Sequence, residues 1–234
     1  MPHSHCDTGY KKTTEGYYLT EVRWALNSVT DYLQSRPDLR FIWAEGAYLW
    51  RWWRDEPTRF AVFKRLVERG QIELVGGGWT MHDEAITSYD EQVTQMRMGH
   101  ELLRYLGFAE EQLPRIGWQP DPFGPSSWTP TLMALSGFDA WVTNRLPEPI
   151  KEQLRQNQTL QFVWHGSSTL SAHKSAILTH VLDTHYESPA GFDWEPPVPN
   201  SQALPVTSDN VADRADAFVN TMAKRAQWYR TPLL

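Results

Sequence analysis

Apolar and polar positions along this chain alternate between a spacing typical of helices and one typical of short buried strands. Apolar residues three or four positions apart predict helices over residues 15–34, 48–69, 88–106, 130–136 and 209–229. Short apolar runs predict strands over residues 39–44, 72–75, 115–118, 140–143, 160–164 and 176–181, with 160–164 a candidate hairpin strand. Pro57 is expected to interrupt the second helix, Gly70 and Gly107 to end the second and third, and Ser208 or Asp209 to cap the last. Residues 188–208 are rich in Pro and Ser and predict a long surface loop.

Strands that alternate with helices predict a parallel sheet or barrel covered by helices, so the fold class is α/β. In such folds the active residues lie at the carboxyl ends of the strands. Most polar candidates in this chain directly follow a predicted strand. These are His5 with Asp7, Glu45, residues 76–79, Asp121, Arg145 and Tyr186.

The first seven residues place an imidazole and a carboxylate two positions apart. On an extended segment His5 and Asp7 point to the same side, as two ligands of one metal ion would. A surface His beside a capping Asp is the alternative, and His3 competes as the ligand because it shares that side. Asp121 lies in the rigid turn Asp121-Pro122-Phe123-Gly124, among apolar neighbours that favour a partly buried carboxylate. Nitrogen and oxygen ligands of this kind favour zinc.

A second group of polar residues, His82, Asp83 and Glu84, follows the glycine run 76–78. We interpret it as a capped helix start near Asp83 rather than as a second metal site. The glycine run lacks the Lys-Ser/Thr of a phosphate-binding loop, which excludes that function.

Composition narrows the function classes. The 234 residues carry a net charge of −6, which gives no reason to expect a nucleic-acid or membrane-surface partner. No apolar run reaches 18 residues, so the sequence predicts no membrane segment. Most of the 12 Trp and 9 Tyr are expected to fill the core, although aromatic rings also stack on sugars. Cys6 is interpreted as a packed thiol. The chain begins inside a predicted strand and ends in the apolar stretch 229–234, so we expect it to be part of a longer protein.

In this order the motifs resemble the N-terminal catalytic region of class II α-mannosidases, the family-38 glycoside hydrolases. The matching stretches run through most of the chain: Pro2-His3-Ser4-His5-Cys6-Asp7-Thr8-Gly9-Tyr10, Phe41-Ile42-Trp43-Ala44-Glu45, Gly77-Gly78-Trp79 with Asp83-Glu84-Ala85, Asp121-Pro122-Phe123-Gly124, and Tyr229-Arg230-Thr231. The chain departs from the family pattern at Cys6, Tyr10 and Pro125, where Asn or Asp, Trp and His are usual.

The resemblance implies one catalytic domain over residues 1–234, an incomplete seven-stranded β/α barrel that lacks its C-terminal part. It implies a retaining, zinc-dependent α-mannosidase that acts on mannose-containing oligosaccharides such as N-glycans, in the Golgi or the lysosome of the secretory pathway. Of the site residues, it implies His5, Asp7 and Asp121 as zinc ligands and Asp121 also as the nucleophile. Tyr10, Phe123, Arg145 and Tyr186 would contact the sugar.

The resemblance also implies that two parts of the site are missing. The family's general acid/base and its remaining zinc ligand, a His, come from positions beyond Leu234, so we expect the chain alone to be inactive. Two other hypotheses stay open: a carbohydrate-binding remnant without hydrolysis, and a metal-dependent sugar deacetylase or hydrolase on a related barrel. The sequence leaves linkage specificity and oligomeric state open.

Overall fold

The computed structural model describes residues 2–192 and 205–231. Helices and strands alternate through these residues, and their bounds lie close to the predicted ones. In chain order they are α1 (Thr14–Tyr17), a π-helical turn (Tyr18–Val22), α2 (Arg23–Ser35), β1 (Phe41–Trp43), α3 (Gly46–Asp55), α4 (Pro57–Glu68), β2 (Ile72–Leu74), α5 (Tyr89–Tyr105), a 3₁₀ turn (Glu110–Gln112), β3 (Ile116–Gln119), α6 (Trp128–Leu135), β4 (Ala140–Thr143), α7 (Glu148–Gln156), β5 (Gln161–His165), α8 (Ala172–Ser175), β6 (Ala176–Val181) and α9 (Val211–Ala226).

The strands form a parallel pair and a four-stranded sheet. β1 pairs with β2, and the second sheet has the order β3-β4-β6-β5, in which only β5 is antiparallel. The N–H of Gly76 donates to the carbonyl of Ile116 at 2.7 Å, which places the end of β2 beside the start of β3. His3 forms an isolated parallel bridge with Ile42 of β1. The observed structure is therefore mixed α/β, and closure into a seven-stranded barrel stays a prediction.

Because the parallel strands share one direction, the loops that follow them meet at one edge. Glu45 follows β1, residues 76–79 follow β2, Asp121 follows β3, and Arg145 follows β4. Tyr186 lies five residues beyond β6. This edge is where the parallel arrangement predicted the candidate site.

Aromatic residues fill much of the largest core cluster, as the composition predicted. Trp43, Trp52, Tyr18, Tyr48 and Phe63 are almost completely buried there. Four of them, Trp43, Trp52, Tyr18 and Tyr48, have a polar atom that is hydrogen-bonded, for example Trp52 Nε1 to Asn27 Oδ1 at 2.8 Å. Such rings bury large areas while leaving no unpaired donor.

Helix ends explain both the successes and the errors of the sequence predictions. α5 begins with a capping box between Ser88 and Glu91, and Gly107 follows it with φ +82°. The predicted helix start near Asp83 is wrong, because Asp83 Oδ1 accepts from the Ala85 N–H in a turn and the helix begins six residues later. The N-cap of α9 is Asn210 rather than Ser208 or Asp209.

The helix α7 was not predicted, because it is short and mostly polar. It buries Lys151, whose ammonium donates to Asn144 Oδ1 at 2.7 Å and to the carbonyl of Thr184 at 2.8 Å. Most of the predicted loop over residues 188–208 lies outside the described residues. In the described part, no helix is both long and apolar enough to cross a bilayer.

The glycine run after β2 packs directly on the backbone of α5. A Cβ on Gly99, inside that helix, would lie 2.1 Å from the carbonyl oxygen of Gly77 and 2.4 Å from the carbonyl carbon of Gly78. The N–H of Trp79 donates to the carbonyl of Gln95 at 3.0 Å, which joins the same loop to the same helix. Only glycine at position 99 permits this close approach.

Candidate metal centre

His5 and Asp7 lie side by side at the open edge of the sheet. His5 Nε2 is 3.1 Å from Asp7 Oδ1, so the two-residue spacing does bring these side chains to one point. The hydroxyl of Tyr48 donates to the backbone carbonyl of Asp7 and fixes the segment against α3. Both side chains keep some exposure, 17% for His5 and 37% for Asp7, so the pair is reachable from solvent.

Asp121 joins this pair from the turn after β3. Its Oδ2 lies 3.5 Å from His5 Nε2, and its side chain is 20% exposed. Gly124 has φ +98° and its N–H donates to the carbonyl of Pro122 at 2.9 Å, which holds the turn. His5, Asp7 and Asp121 each contribute one nitrogen or oxygen atom to a group in which all three atoms lie within 4.8 Å of one another.

The second oxygen of Asp121 is bound by two other residues that the sequence singled out. Oδ1 accepts from Tyr186 Oη at 2.7 Å and from Arg145 Nε at 2.6 Å. Burial raises the pKa of Asp121, but the hydrogen bonds from Tyr186 and Arg145 and the charges of His5 and Arg145 outweigh it, so the pKa is lowered overall. Burial and the hydrogen bond to Asp121 raise the pKa of Tyr186 to about 12, so Tyr186 stays a donor. Asp121 is therefore held as a carboxylate with its two oxygens facing different partners.

Aromatic rings surround these groups to different extents. The guanidinium of Arg145 lies 4.6 Å from the centre of the Phe123 ring, and the rings of His5 and Tyr186 are 4.7 Å apart. Phe123 is 66% exposed, which leaves its other face free for a ligand. Tyr10 is 75% exposed and lies beside Lys11, and the described residues give it no contact with this cluster.

Cys6 points away from the cluster and into the protein. It packs against the large core, and its Sγ is 3.5 Å from Ser4 Oγ. Burial, followed by the charge of Glu45, raises the pKa of the Cys6 thiol. A protonated, packed thiol is not a metal ligand, in line with the interpretation from sequence.

His3 and Glu45 lie behind His5 and form a second group with it. One nitrogen of each imidazole and one Glu45 oxygen lie within 4.8 Å of one another. His3 Nδ1 is 3.3 Å from the carbonyl of Ile42 and must donate to it, because that oxygen can only accept. Burial lowers the pKa of His3 to about 4 and raises that of Glu45 to about 8. His3 is thus part of the buried layer rather than a competitor for the open group.

His82, the other histidine flanked by carboxylates in sequence, is buried in a network of amides. Its Nδ1 is 2.8 Å from Gln95 Nε2, and its Nε2 is 3.0 Å from the amide nitrogen of Gln119. Burial lowers the pKa of His82 to about 4. Glu84 turns away, and its Oε2 accepts from the Ser126 N–H at 2.5 Å, which anchors the chain just after the Asp121 turn. The sequence carries no signal for these partners, because Gln95, Gln119 and Ser126 come from three separate segments.

The open group fits a zinc ion. Ligand atoms about 2.1 Å from a tetrahedral zinc ion lie about 3.4 Å apart, and the measured separations are 3.1 and 3.5 Å. One imidazole nitrogen and two carboxylate oxygens are zinc ligands in proteins, and all three side chains are held by neighbouring bonds or packing.

The comparison with protein families decides the identity of the fold. Residues 1–234 match the family model described as "Glycosyl hydrolases family 38 N-terminal domain". The chain belongs to glycosyl hydrolase family 38. The family resemblance that the motifs suggested is thereby confirmed.

Relatives within family 38 are α-mannosidases by name. The chain is 39% identical to α-mannosidase C of Dictyostelium discoideum, over 98% of the chain and 23% of the relative. It is 36% identical to the epididymis-specific α-mannosidase of Sus scrofa, over 99% of the chain and 24% of the relative. The chain therefore spans about a quarter of the length of these relatives.

A solved structure from the same family has the same fold. The crystal structure of an α-mannosidase from Enterococcus faecalis matches with a TM-score of 0.69 at 18% identity, and covers 99% of this chain and 23% of the solved one. At this identity the match speaks for the fold alone.

Proposed function

We propose that this chain supplies the zinc site and the nucleophile of a retaining α-mannosidase. The observation that carries the proposal is that the two oxygens of Asp121 have different partners. Oδ2 faces His5 and Asp7, while Oδ1 is held by Arg145 and Tyr186. One carboxylate can thus bind a metal ion and still present an oriented oxygen to a substrate.

The metal would be held by His5, Asp7 and Asp121. When bound, zinc orients hydroxyl groups of the sugar and withdraws electron density from them. The fourth protein ligand that the family resemblance implies is a further His. We place it in a part of the protein outside residues 1–234.

Asp121 Oδ1 attacks the anomeric carbon of the mannose unit, and the bond from that carbon to the leaving oxygen breaks. Its low pKa keeps the carboxylate ionised, and Arg145 fixes its direction. A second carboxyl about 5–5.5 Å away donates the proton to the leaving oxygen and later activates water, which releases the sugar with retained configuration. We place this second carboxyl outside residues 1–234 as well, so the chain alone should not turn over.

Substrate contacts would come from the aromatic rings near Asp121. The exposed ring of Phe123 and the half-buried ring of Tyr186 both lie near the Arg145 guanidinium and would pack on a sugar face. Tyr10 would join them if its exposed ring turned toward a bound sugar. The substrates would be mannose-containing oligosaccharides, processed in the secretory pathway or the lysosome, as the name of the lysosomal α-mannosidase relative from Dictyostelium discoideum suggests.

The test is hydrolysis of an aryl α-mannoside by the full protein that the gene encodes. Asp121→Asn keeps the shape of the side chain but removes the nucleophile, and we expect activity to fall at least about 10³-fold. Asp139→Asn is the matched control, because Asp139 forms an exposed ion pair with Arg115. Equal activity of the wild type and Asp121→Asn would overturn the proposal.

Two further outcomes separate the remaining hypotheses. Turnover by the 234-residue chain alone, abolished by Asp121→Asn, would show that the second carboxyl lies within it. Mannose binding without turnover in the full protein would favour a carbohydrate-binding remnant, and activity on N-acetyl sugars alone would favour a deacetylase.

A further inference from the structure

Glu45 is a buried carboxyl group for which the proposed reaction has no use. It is 2% exposed, and neither of its oxygens is hydrogen-bonded to another of the described residues. A buried polar group without partners costs free energy, so its position directly behind the metal centre needs a physical reason.

Two other buried polar atoms beside Glu45 also lack a hydrogen-bond partner among the described residues. They are Nδ1 of His5 and Nε2 of His3. One nitrogen of each of these rings and one oxygen of Glu45 lie within 4.8 Å of one another. Three unpartnered polar side chains therefore meet in one small volume, which points to a shared partner.

The protonation of the two rings follows from their other contacts. His3 Nδ1 donates to the carbonyl of Ile42, so the neutral ring leaves His3 Nε2 as an acceptor. His5 Nε2 faces the carboxylates of Asp7 and Asp121. If Nε2 is the metal ligand, the proton of the neutral His5 ring sits on Nδ1, which becomes a donor.

A single water molecule satisfies this set. It accepts from His5 Nδ1–H and donates to Glu45 and to His3 Nε2. Partners about 2.8 Å from a tetrahedral water lie about 4.6 Å apart. This separation falls inside the 4.8 Å within which one atom of each of the three side chains lies.

We propose that Glu45 is a positioning residue of the metal centre, which orients His5 through a buried water shared with His3. Metal-bound imidazoles commonly use their second nitrogen in this way, and the outer partner fixes both tautomer and ring direction. The inference rests on the proposed function insofar as His5 is a metal ligand.

The first experiment reads the tautomer of His5 directly. Long-range ¹⁵N–¹H NMR of the zinc-loaded wild-type protein, with His5→Gln used to assign the signal, should show a His5 ring that binds through Nε2 and is protonated at Nδ1. A ring protonated at Nε2 would overturn the inference. This measurement needs no variant of Glu45, so it stands even if such variants fail to fold.

The second experiment measures zinc affinity by competition with a chelator in the full protein. Glu45→Leu removes the acceptor at similar volume and should weaken zinc binding about 10- to 100-fold. Glu45→Gln keeps a carbonyl oxygen and should recover most of the loss. Glu56→Gln is the matched control, because Glu56 pairs with Arg23 and Arg59 at the junction of α3 and α4. Equal affinity of Glu45→Leu and the wild type would overturn the inference.

Metal stoichiometry distinguishes the remaining outcomes. One zinc ion per chain is expected. A second ion that is lost in Glu45→Leu would mean that His3, His5 and Glu45 bind metal themselves, and would replace the water. If the wild type binds no zinc at all, the proposed metal site fails. If it binds one zinc ion and Glu45→Leu binds that ion equally well, only the role of Glu45 fails.

Discussion

His5 and His82 have similar neighbours in the sequence but different surroundings in the fold. Each has an aspartate one or two residues later. His5 remains open to solvent and lies within 3.5 Å of two carboxylate side chains. His82 is 5% exposed and contacts only amide groups at its two ring nitrogens. The backbone direction after the histidine, not its sequence neighbours, decides which one can serve as a ligand.

The local chain explains the difference. His3 bridges to Ile42 of β1, and in the segment that follows the side chains of His5 and Asp7 face the same point at the open edge. Residues 83–87 form turns, so Asp83 caps the Ala85 N–H and Glu84 reaches the Ser126 N–H instead. These hydrogen bonds direct the two carboxylates toward backbone donors, and neither carboxylate is bonded to His82.

The largest expected effect is on zinc affinity. His5→Gln should weaken zinc binding at least about 100-fold, equivalent to about 3 kcal/mol, because it removes one of three ligands in the chain. His82→Gln should leave the affinity within about twofold. Chelator competition measures both values, and a similar loss in the two variants would break the comparison.

The second prediction concerns stability, and here the change at His82 is the one with the large effect. His82→Ala should lower the free energy of unfolding by about 2–3 kcal/mol, because it leaves Gln95 and Gln119 without partners and opens a cavity. His173→Ala, on the exposed α8, should change it by less than about 0.5 kcal/mol. Urea unfolding checks the difference, and equal stability of the two variants would show that the amide network contributes little.

The smallest effect is a dependence of stability on pH. Burial lowers the pKa of His82 from 6.5 to about 4, so the neutral form is favoured in the folded state. As the pH falls, the unfolded chain takes up this proton first, and stability declines from about pH 6.5 down to about pH 4. Between pH 7 and pH 5 the contribution of His82 should fall by about 2 kcal/mol.

His82→Gln serves to isolate that contribution from the one that His3 makes in the same direction. Its free energy of unfolding should depend less steeply on pH than that of the wild type over this window. Parallel pH profiles for the two proteins would mean that His82 is already protonated, or solvated, in the folded state.

The sequence predicted most of the framework because its signals are local. The cap at Ser88 and the glycines after α4 and α5 mark helix ends within a few residues, and alternating strands and helices predicted the edge at which Asp121 and Arg145 meet. Local signals fail where the partner is remote. Neither the burial of Glu45 nor the amides around His82 could be predicted, because they depend on how separate segments pack.

The close contact between Gly99 and the loop after β2 sets how this edge of the molecule can move. Since the loop backbone rests on the helix backbone with no side chain between them, residues 76–79 cannot swing outward without shifting α5. The free energy of opening this loop should therefore approach that of detaching the whole helix, and its amide protons should exchange slowly for a loop. A wall of the substrate entrance would then be as rigid as the core, and adaptation to sugars of different shape would fall to the exposed rings of Tyr10 and Phe123.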